Sequence, residues 1–288
     1  MSYCRFETDS PSFARSNQLN QGHKTLNCAL TESSPCLCGK NKNYVQLEVL
    51  FEDEFLIAVH KPNGLLVHRT KLARDADEFA LQSLRDQIDQ KVFPAHRLDR
   101  KTSGVLLFSK DEATNRLMQT QFMDQQVSKT YKAIVRGWTE AEGTIDYALI
   151  NEKGKEQEAI THFTTLERSE IDLPNGKFST ARFSLLELKP ETGRMHQLRK
   201  HLAHIFHPII GDRPHGCNKQ NKLFKEHFSM MEMLLHAEKL EFKHPRTGEG
   251  ILIHSSIKGE FKRMLEELRF DHILSLIHIS EPTRRPII

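Results

Sequence analysis

At 288 residues the chain has room for one large domain or two small ones, and 38% hydrophobic with 27% charged residues is an ordinary globular composition. No stretch nears the roughly 18 apolar residues of a membrane span, and the N-terminus lacks a signal-peptide core, so a cytoplasmic protein without membrane contact is expected. A net charge of +3 is too small to announce a polyanion binder, and local charge has to decide that question.

Residues 1–44 are rich in Ser, Asn, Gln and Thr, show neither helical nor strand period, and read as a polar, disordered extension. Cys4, Cys28, Cys36 and Cys38 fall there, and Cys217 stands alone in the body. This is no disulfide framework, and the spacing of Cys28, Cys36 and Cys38 with His23 matches no common zinc pattern. From Tyr44 onward "VQLEVLFED", "EFLIAVHK" and "GLLVHRT" are short strand-like runs, the last two separated by the turn Pro62-Asn63-Gly64. Phe79, Leu81, Leu84 and Ile88 give 77–90 a helical period, "GVLLFSK" (104–110) reads as a buried strand, and an amphipathic helix follows over 111–123.

"SKTYKAIVRGW" (128–138), "EAITHFTTLE" and "ARFSLLELKP" alternate as strands, and a helix is predicted to start near Arg194 and stop before Pro208. "GILIHSS" is the last strand-like run, and "KGEFKRMLEELRF" closes the domain with a helix. Strands dominate without regular βαβ alternation, so the expected fold class is α+β, a mixed and largely antiparallel sheet with flanking helices. The expected domain spans 45–270, and 271–288, with two prolines and no partner element, reads as a non-native or disordered tail.

Two constellations carry chemistry. In "AHRLDRKTSG" a single carboxylate, Asp99, stands between Arg97 and Arg100 just before the buried strand. It is either a structural ion pair or a tool, and a carboxylate held ionised by guanidinium suits nucleophilic or electrostatic work better than proton donation. No second carboxylate lies nearby in sequence to complete a hydrolytic acid–base pair. The second constellation, "TGRMHQLRKHLAHIFHPIIGD" (192–212), holds Arg194, Arg199, Lys200 and four histidines with no acidic residue between Gly193 and Gly211. That local positive field suits a phosphate-rich partner, and Arg199 could reach a carboxylate delivered by another segment. His201, His204 and His207 recur every third residue, which keeps a histidine–metal hydrolase as a rival class, although no HExxH-like spacing accompanies them. Tyr131 is a common strand tyrosine or, at a nucleic-acid site, a platform for a base.

"HRLDRKTSG", "SKTYKAIVRG" and "TGRMHQLRKHLAHIFHPIIGD" together resemble the signatures of RluA-type pseudouridine synthases, from about Leu47 to Phe270. "KPNGLLVHRT", "IIGDRPHG" with Gln220-Asn221, and "MLLHAEKLEFKHPRTGE" resemble the tRNA-directed subgroup within that family, whereas Cys217-Asn218-Lys219 departs from its pattern. The resemblance implies a pseudouridine synthase fold with a central RNA-binding cleft. It implies isomerisation of a specific uridine of tRNA, in the acceptor/T-arm region, with ribosomal RNA as the alternative substrate. A factor that binds RNA without catalysis is the rival from a different class.

On the same ground Asp99 is the catalytic carboxylate, Arg199 its partner, and Tyr131 packs on the flipped uracil. Arg97 takes the vacated place in the base stack. Arg100, Lys101 and Arg194 contact phosphate, and His96, Thr102 and His196 complete the RNA-contacting set. The reaction needs no metal and no cofactor, the catalytic domain binds RNA unaided, and the protein is expected to be a monomer.

Overall fold

The computed structural model describes residues 45–68, 78–174 and 178–271. The expected extension over 1–44, with its four cysteines, and all of the expected tail except Asp271 lie outside the described residues.

A hairpin of β1 (Glu48–Glu52) and β2 (Leu56–Lys61) leads to α1 (Ala80–Ile88), β3 (Phe93–Pro94), β4 (Ser103–Ser109) and α2 (Glu112–Met123). β5 (Ser128–Arg136), β6 (Glu142–Asp146), β7 (Leu149–Ile150), β8 (Glu156–Gln157), β9 (Ile160–Ile171) and β10 (Ala181–Pro190) follow. The chain continues through α3 (Gln197–His204), α4 (Asn218–Phe228), β11 (Leu235–Lys243), β12 (Gly250–His254) and α5 (Gly259–Glu267). The main sheet runs β1-β2-β4-β11-β5-β10-β9-β6, with β12 added beside β11 and β3 beside β4. Its described pairings are antiparallel except β4 with β11, where Ser103 and Gly104 lie parallel to His236 and Ala237. A large sheet with one parallel contact is the mixed, mainly antiparallel α+β fold expected.

The strand period explains why β4 sits at the centre. Leu106 and Phe108 point into one apolar cluster, with Ala80 and Leu84 of α1, while Val105 and Leu107 point into another, with Met118 of α2. A strand buried on both faces must be apolar throughout, and each such side chain contributes about 2 kcal/mol. α2 starts where its cap predicts. Asp111 accepts hydrogen bonds from the backbone N–H of Thr114 at 2.8 Å and from its hydroxyl at 2.6 Å.

Three expectations change. The described part of "GLLVHRT", 64–68, is no strand: Leu66 and Val67 turn their carbonyls to the N–H groups of Ala80 and Leu81, so the segment caps α1. The helix expected from Arg194 begins at Gln197, whose side chain reaches back to the N–H of Arg194 and the hydroxyl of Thr192. β11, absent from the sequence reading, is a central strand. Its register shifts between Ala237 and Lys239, so the buried apolar positions run 235 and 237, then 240 and 242, and the alternation loses phase at the bulge.

Gly104 is where the sheet requires the absence of a side chain. It has φ +111°, and a Cβ there would stand 2.1 Å from the carbonyl oxygen of Ala237. Gly104→Ala should therefore cost about 3 kcal/mol, read as a lower urea midpoint at unchanged slope. A midpoint equal to the parent's would show that β4 and β11 can separate without loss.

Candidate active site

The loop between β3 and β4 carries Asp99 to the mouth of a small cavity, and buried anchors hold that loop. The N–H of Thr102 donates to the carbonyl of Asp99 at 3.0 Å, closing a tight turn. Below it Lys61, the last residue of β2, is fully buried, and its ammonium donates to the carbonyls of Pro62, Leu65 and Arg100 at 2.9, 2.8 and 3.0 Å. Burial drags the Lys61 ammonium down to about 7, against the opposing pull of the Asp99 charge. The side-chain amide of Asn63 donates a hydrogen bond to the carbonyl of Lys101 at 2.6 Å. Neither Lys61 nor Asn63 was given a role by sequence, where "KPNG" reads as a turn and as the start of a longer motif.

Arg199, the third residue of α3, stands between two carboxylates. Its Nη1 donates to Oδ2 of Asp99 at 2.9 Å, while Nε and Nη2 form a bidentate pair with Asp212, both at 2.8 Å. The two carboxylates differ in setting: the Asp212 side chain is 1% exposed and that of Asp99 28%. Burial opposes the guanidinium charge, and the bonds to Asp212 and then Asp99 outweigh it, leaving Arg199 above the ordinary arginine range. No described residue bonds Oδ1 of Asp99.

Asp212 is the functional residue that sequence reasoning missed, although "IIGD" was among the quoted motifs. Its position comes from α4, where Asn221 accepts from the N–H of Gly211 at 3.0 Å and donates to the carbonyl of Asp212 at 2.7 Å. Gly216 lies so close over that carbonyl that a Cβ would stand 1.9 Å from it.

The cavity, about 100 Å³, is lined by Asp99, Tyr131, Arg199, Arg97, Thr102, Arg194 and His196 among others. Seven of the ten sequence-predicted residues thus converge from three segments. Tyr131 on β5 is half-buried, and burial, reinforced by the Asp99 charge, pushes its hydroxyl above the ordinary tyrosine range, so it stays a neutral phenol. His196 takes a left-handed backbone, φ 56°, at the head of α3. Its Nε2 is 3.8 Å from Asp99, and its Nδ1 is 3.0 Å from Nε2 of His215. Burial lowers both imidazoles, so neither is a cation at neutral pH.

The other three predicted residues lie outside this cavity. The side chain of Arg100 is exposed and donates to the carbonyl of Gly64 at 3.0 Å. Lys101 sits beside Arg213, Asp212 and Arg199, with its ammonium lowered mainly by burial. His96 lines an adjoining space, and its Nε2 accepts the N–H of Leu107 at 3.1 Å, which requires an unprotonated Nε2. The histidines at 201, 204 and 207 diverge. His201 meets the carbonyl of Tyr147, His204 stacks on the Tyr147 ring, and His207 meets the carbonyl of Arg136. Among the described residues no group of three His, Cys, Asp or Glu side chains is placed to hold a metal ion.

Two imidazoles, His236 fully and His96 partly buried, make the fold acid-sensitive. His236 is 1% exposed, between the hydroxyl of Ser103 and the carbonyl of Ser255, both at 2.9 Å. Burial pushes both His96 and His236 down to about 4. Between pH 6.5 and 4 the unfolded chain binds a proton at each and the folded chain does not, so stability falls as pH falls through that window. The loss should approach about 3 kcal/mol for each histidine, and His236→Gln should remove roughly half of the combined loss. Urea unfolding at pH 7, 5.5 and 4.5 checks this; a flat profile would contradict it.

Comparison with known proteins agrees with the architecture. The family described as RNA pseudouridylate synthase matches residues 55–204. The tRNA pseudouridine synthase C of Vibrio parahaemolyticus is 44% identical over 241 residues, covering 80% of this chain and 98% of that protein. The protein of the same name from Pasteurella multocida is 44% identical over 243 residues, covering 81% and 99%. Among solved structures, human RNA Pseudouridylate Synthase Domain Containing 4 superposes with TM-score 0.59 at 25% identity, over 77% of this chain and 93% of that one. Human RNA Pseudouridylate Synthase Domain Containing 1 does so with TM-score 0.58 at 22% identity, over 78% and 95%, a likeness of fold.

Proposed function

The chain belongs to the RNA pseudouridylate synthase family, as an RluA-type member, and from that premise we propose that it converts one uridine of tRNA, in the acceptor/T-arm region, to pseudouridine with Asp99 as the catalytic carboxylate. One observation carries the assignment of Asp99. Arg199 already has a buried bidentate partner in Asp212, so its single bond to Asp99 orients a carboxylate that the fold does not need for charge balance. The substrate class rests on the tRNA synthases it resembles over most of its length.

The reaction conserves atoms and electrons. The C1′–N1 bond breaks, the uracil turns, C5 bonds to C1′, C5 gives up a proton and N1 gains one. Asp99, paired with Arg199 through Oδ2, presents Oδ1 for attack at C1′, for removal of the C2′ proton, or for attack at C6 of the base. Tyr131 offers its ring to the flipped base and can take the C5 proton only by first passing on its own. Arg97 at the rim fills the stack that the uridine leaves, at an unstacking cost of a few kcal/mol. Arg194, with Arg100 and Lys101 further out, meets phosphates, and no metal or small-molecule cofactor enters. The reading is of a cytoplasmic monomer.

Purified protein incubated with unmodified tRNA and ribosomal RNA transcripts, then mapped by carbodiimide-primer extension, tests the proposal. One new stop in the acceptor/T-arm stem of tRNA is expected, slowed by about 10⁴-fold or more with Asp99→Ala. A stop on ribosomal RNA alone would overturn the substrate class. Silence on both, or full activity of Asp99→Ala, would overturn the reading.

A further inference from the structure

Beside the catalytic cavity lies a second one, about 710 Å³ against about 100 Å³, and the two share Arg97, Lys129, Tyr131, Thr192, Gly193 and Arg194. The shared wall is basic. The far wall is different in kind: the C-terminal end of α2 contributes Gln119, Phe122 and Met123, and Gln125 follows it. Among the described residues three cations and no carboxylate line this space, so it holds no nucleophile of the Asp99 type.

Its far wall is built as a platform. Phe122 is half-buried, and the His96 ring stacks on it with centroids 5.0 Å apart and planes inclined by 30°. The His96 ring is fixed in turn by the N–H of Leu107. Met123 is 73% exposed, an unbranched thioether that adapts its shape to a flat partner. Gln119 and Gln125, both exposed, carry amides able to donate to and accept from a base edge. An aromatic and thioether surface, an amide rim and a cationic entrance are what a nucleotide requires, the base on the apolar part and the phosphate on the cations. Its volume lies within the range of about 300–1,000 Å³ typical of ligand clefts, far more than one pyrimidine ring needs.

We propose that this cavity receives a second unstacked nucleobase of the substrate RNA, a neighbour of the target uridine, seated against Phe122 and Met123 with its phosphate at Lys129 and Arg194. The inference rests on the RNA-isomerase reading of the adjoining cleft. Occupancy of both cavities at once makes the enzyme read a local strand path rather than a lone uridine. A nucleotide that leaves a helix easily is then favoured at the neighbouring position, which is a source of site selection that needs no duplex-groove contact.

Single-turnover kinetics with the full-chain protein test this, using tRNA transcripts that carry an abasic residue at each position flanking the mapped uridine. At one flanking position the half-saturating protein concentration should rise about tenfold while the maximal rate holds. Met123→Ala should raise it severalfold on intact RNA, and Phe122→Ala should do so by about tenfold. On the abasic RNA neither substitution should add anything. Because Phe122 also packs in the core, the exposed Met123 supplies the variant whose folding is not at issue. Equal constants for intact and abasic RNA at every flanking position, or losses that simply multiply, would overturn the second site. Absence of pseudouridine with wild-type protein on any RNA would instead overturn the reading beneath it.

Discussion

One guanidinium shared unequally between two carboxylates governs this molecule. Arg199 gives two of its donors to the buried Asp212 and one to the more exposed Asp99. A buried charge is tolerated when its partners are close and well aligned, and the bidentate pair with Asp212 meets that demand on its own. The bond to Asp99 is then free to orient a carboxylate at a cavity mouth. Asp99 is held by one oxygen while the other meets no described donor, which suits a group that must react with substrate.

The sheet and its loops exist to keep that geometry. β4 and β11 run side by side only because Gly104 has no side chain, and the Asp99 loop enters β4 within five residues of that carboxylate. The Lys61 ammonium gathers three carbonyls under the loop, tying β2 to it. On the other side Asn221 of α4 pins the Asp212 segment, so helices and strands distant in sequence converge on one arginine. Such over-determination is what precise positioning of a reacting group requires.

Much of this was legible in the chain. The doubly apolar run of β4, the alternation of β10 and the Asp111 cap of α2 each carry a local signal, and the structure follows them. The central strand β11 was not legible, because its bulge shifts the alternation by one residue. α4 was not either: it is polar, its cap residue Cys217 makes no side-chain cap bond, and of its residues only Gln220 and Phe224 are buried. At the site Asp99, Arg199 and Tyr131 stood out by residue type and motif. Asp212 did not, since nothing about an aspartate at a loop start says that an arginine thirteen residues earlier will turn back to it. Pairings across a fold are long-range facts, and neither composition nor period contains them.

The most direct measurement is the unfolding free energy of Asp99→Asn set beside that of Asp212→Asn, by urea denaturation at neutral pH. If Asp212 supports the structure and Asp99 performs the chemistry, Asp99→Asn should change stability by no more than about 1 kcal/mol. Asp212→Asn should cost about 3 kcal/mol or more, because it leaves the Arg199 charge buried without its bidentate partner. Equal losses, or a greater loss at Asp99, would make Asp99 a structural ion pair and contradict the division of labour around Arg199.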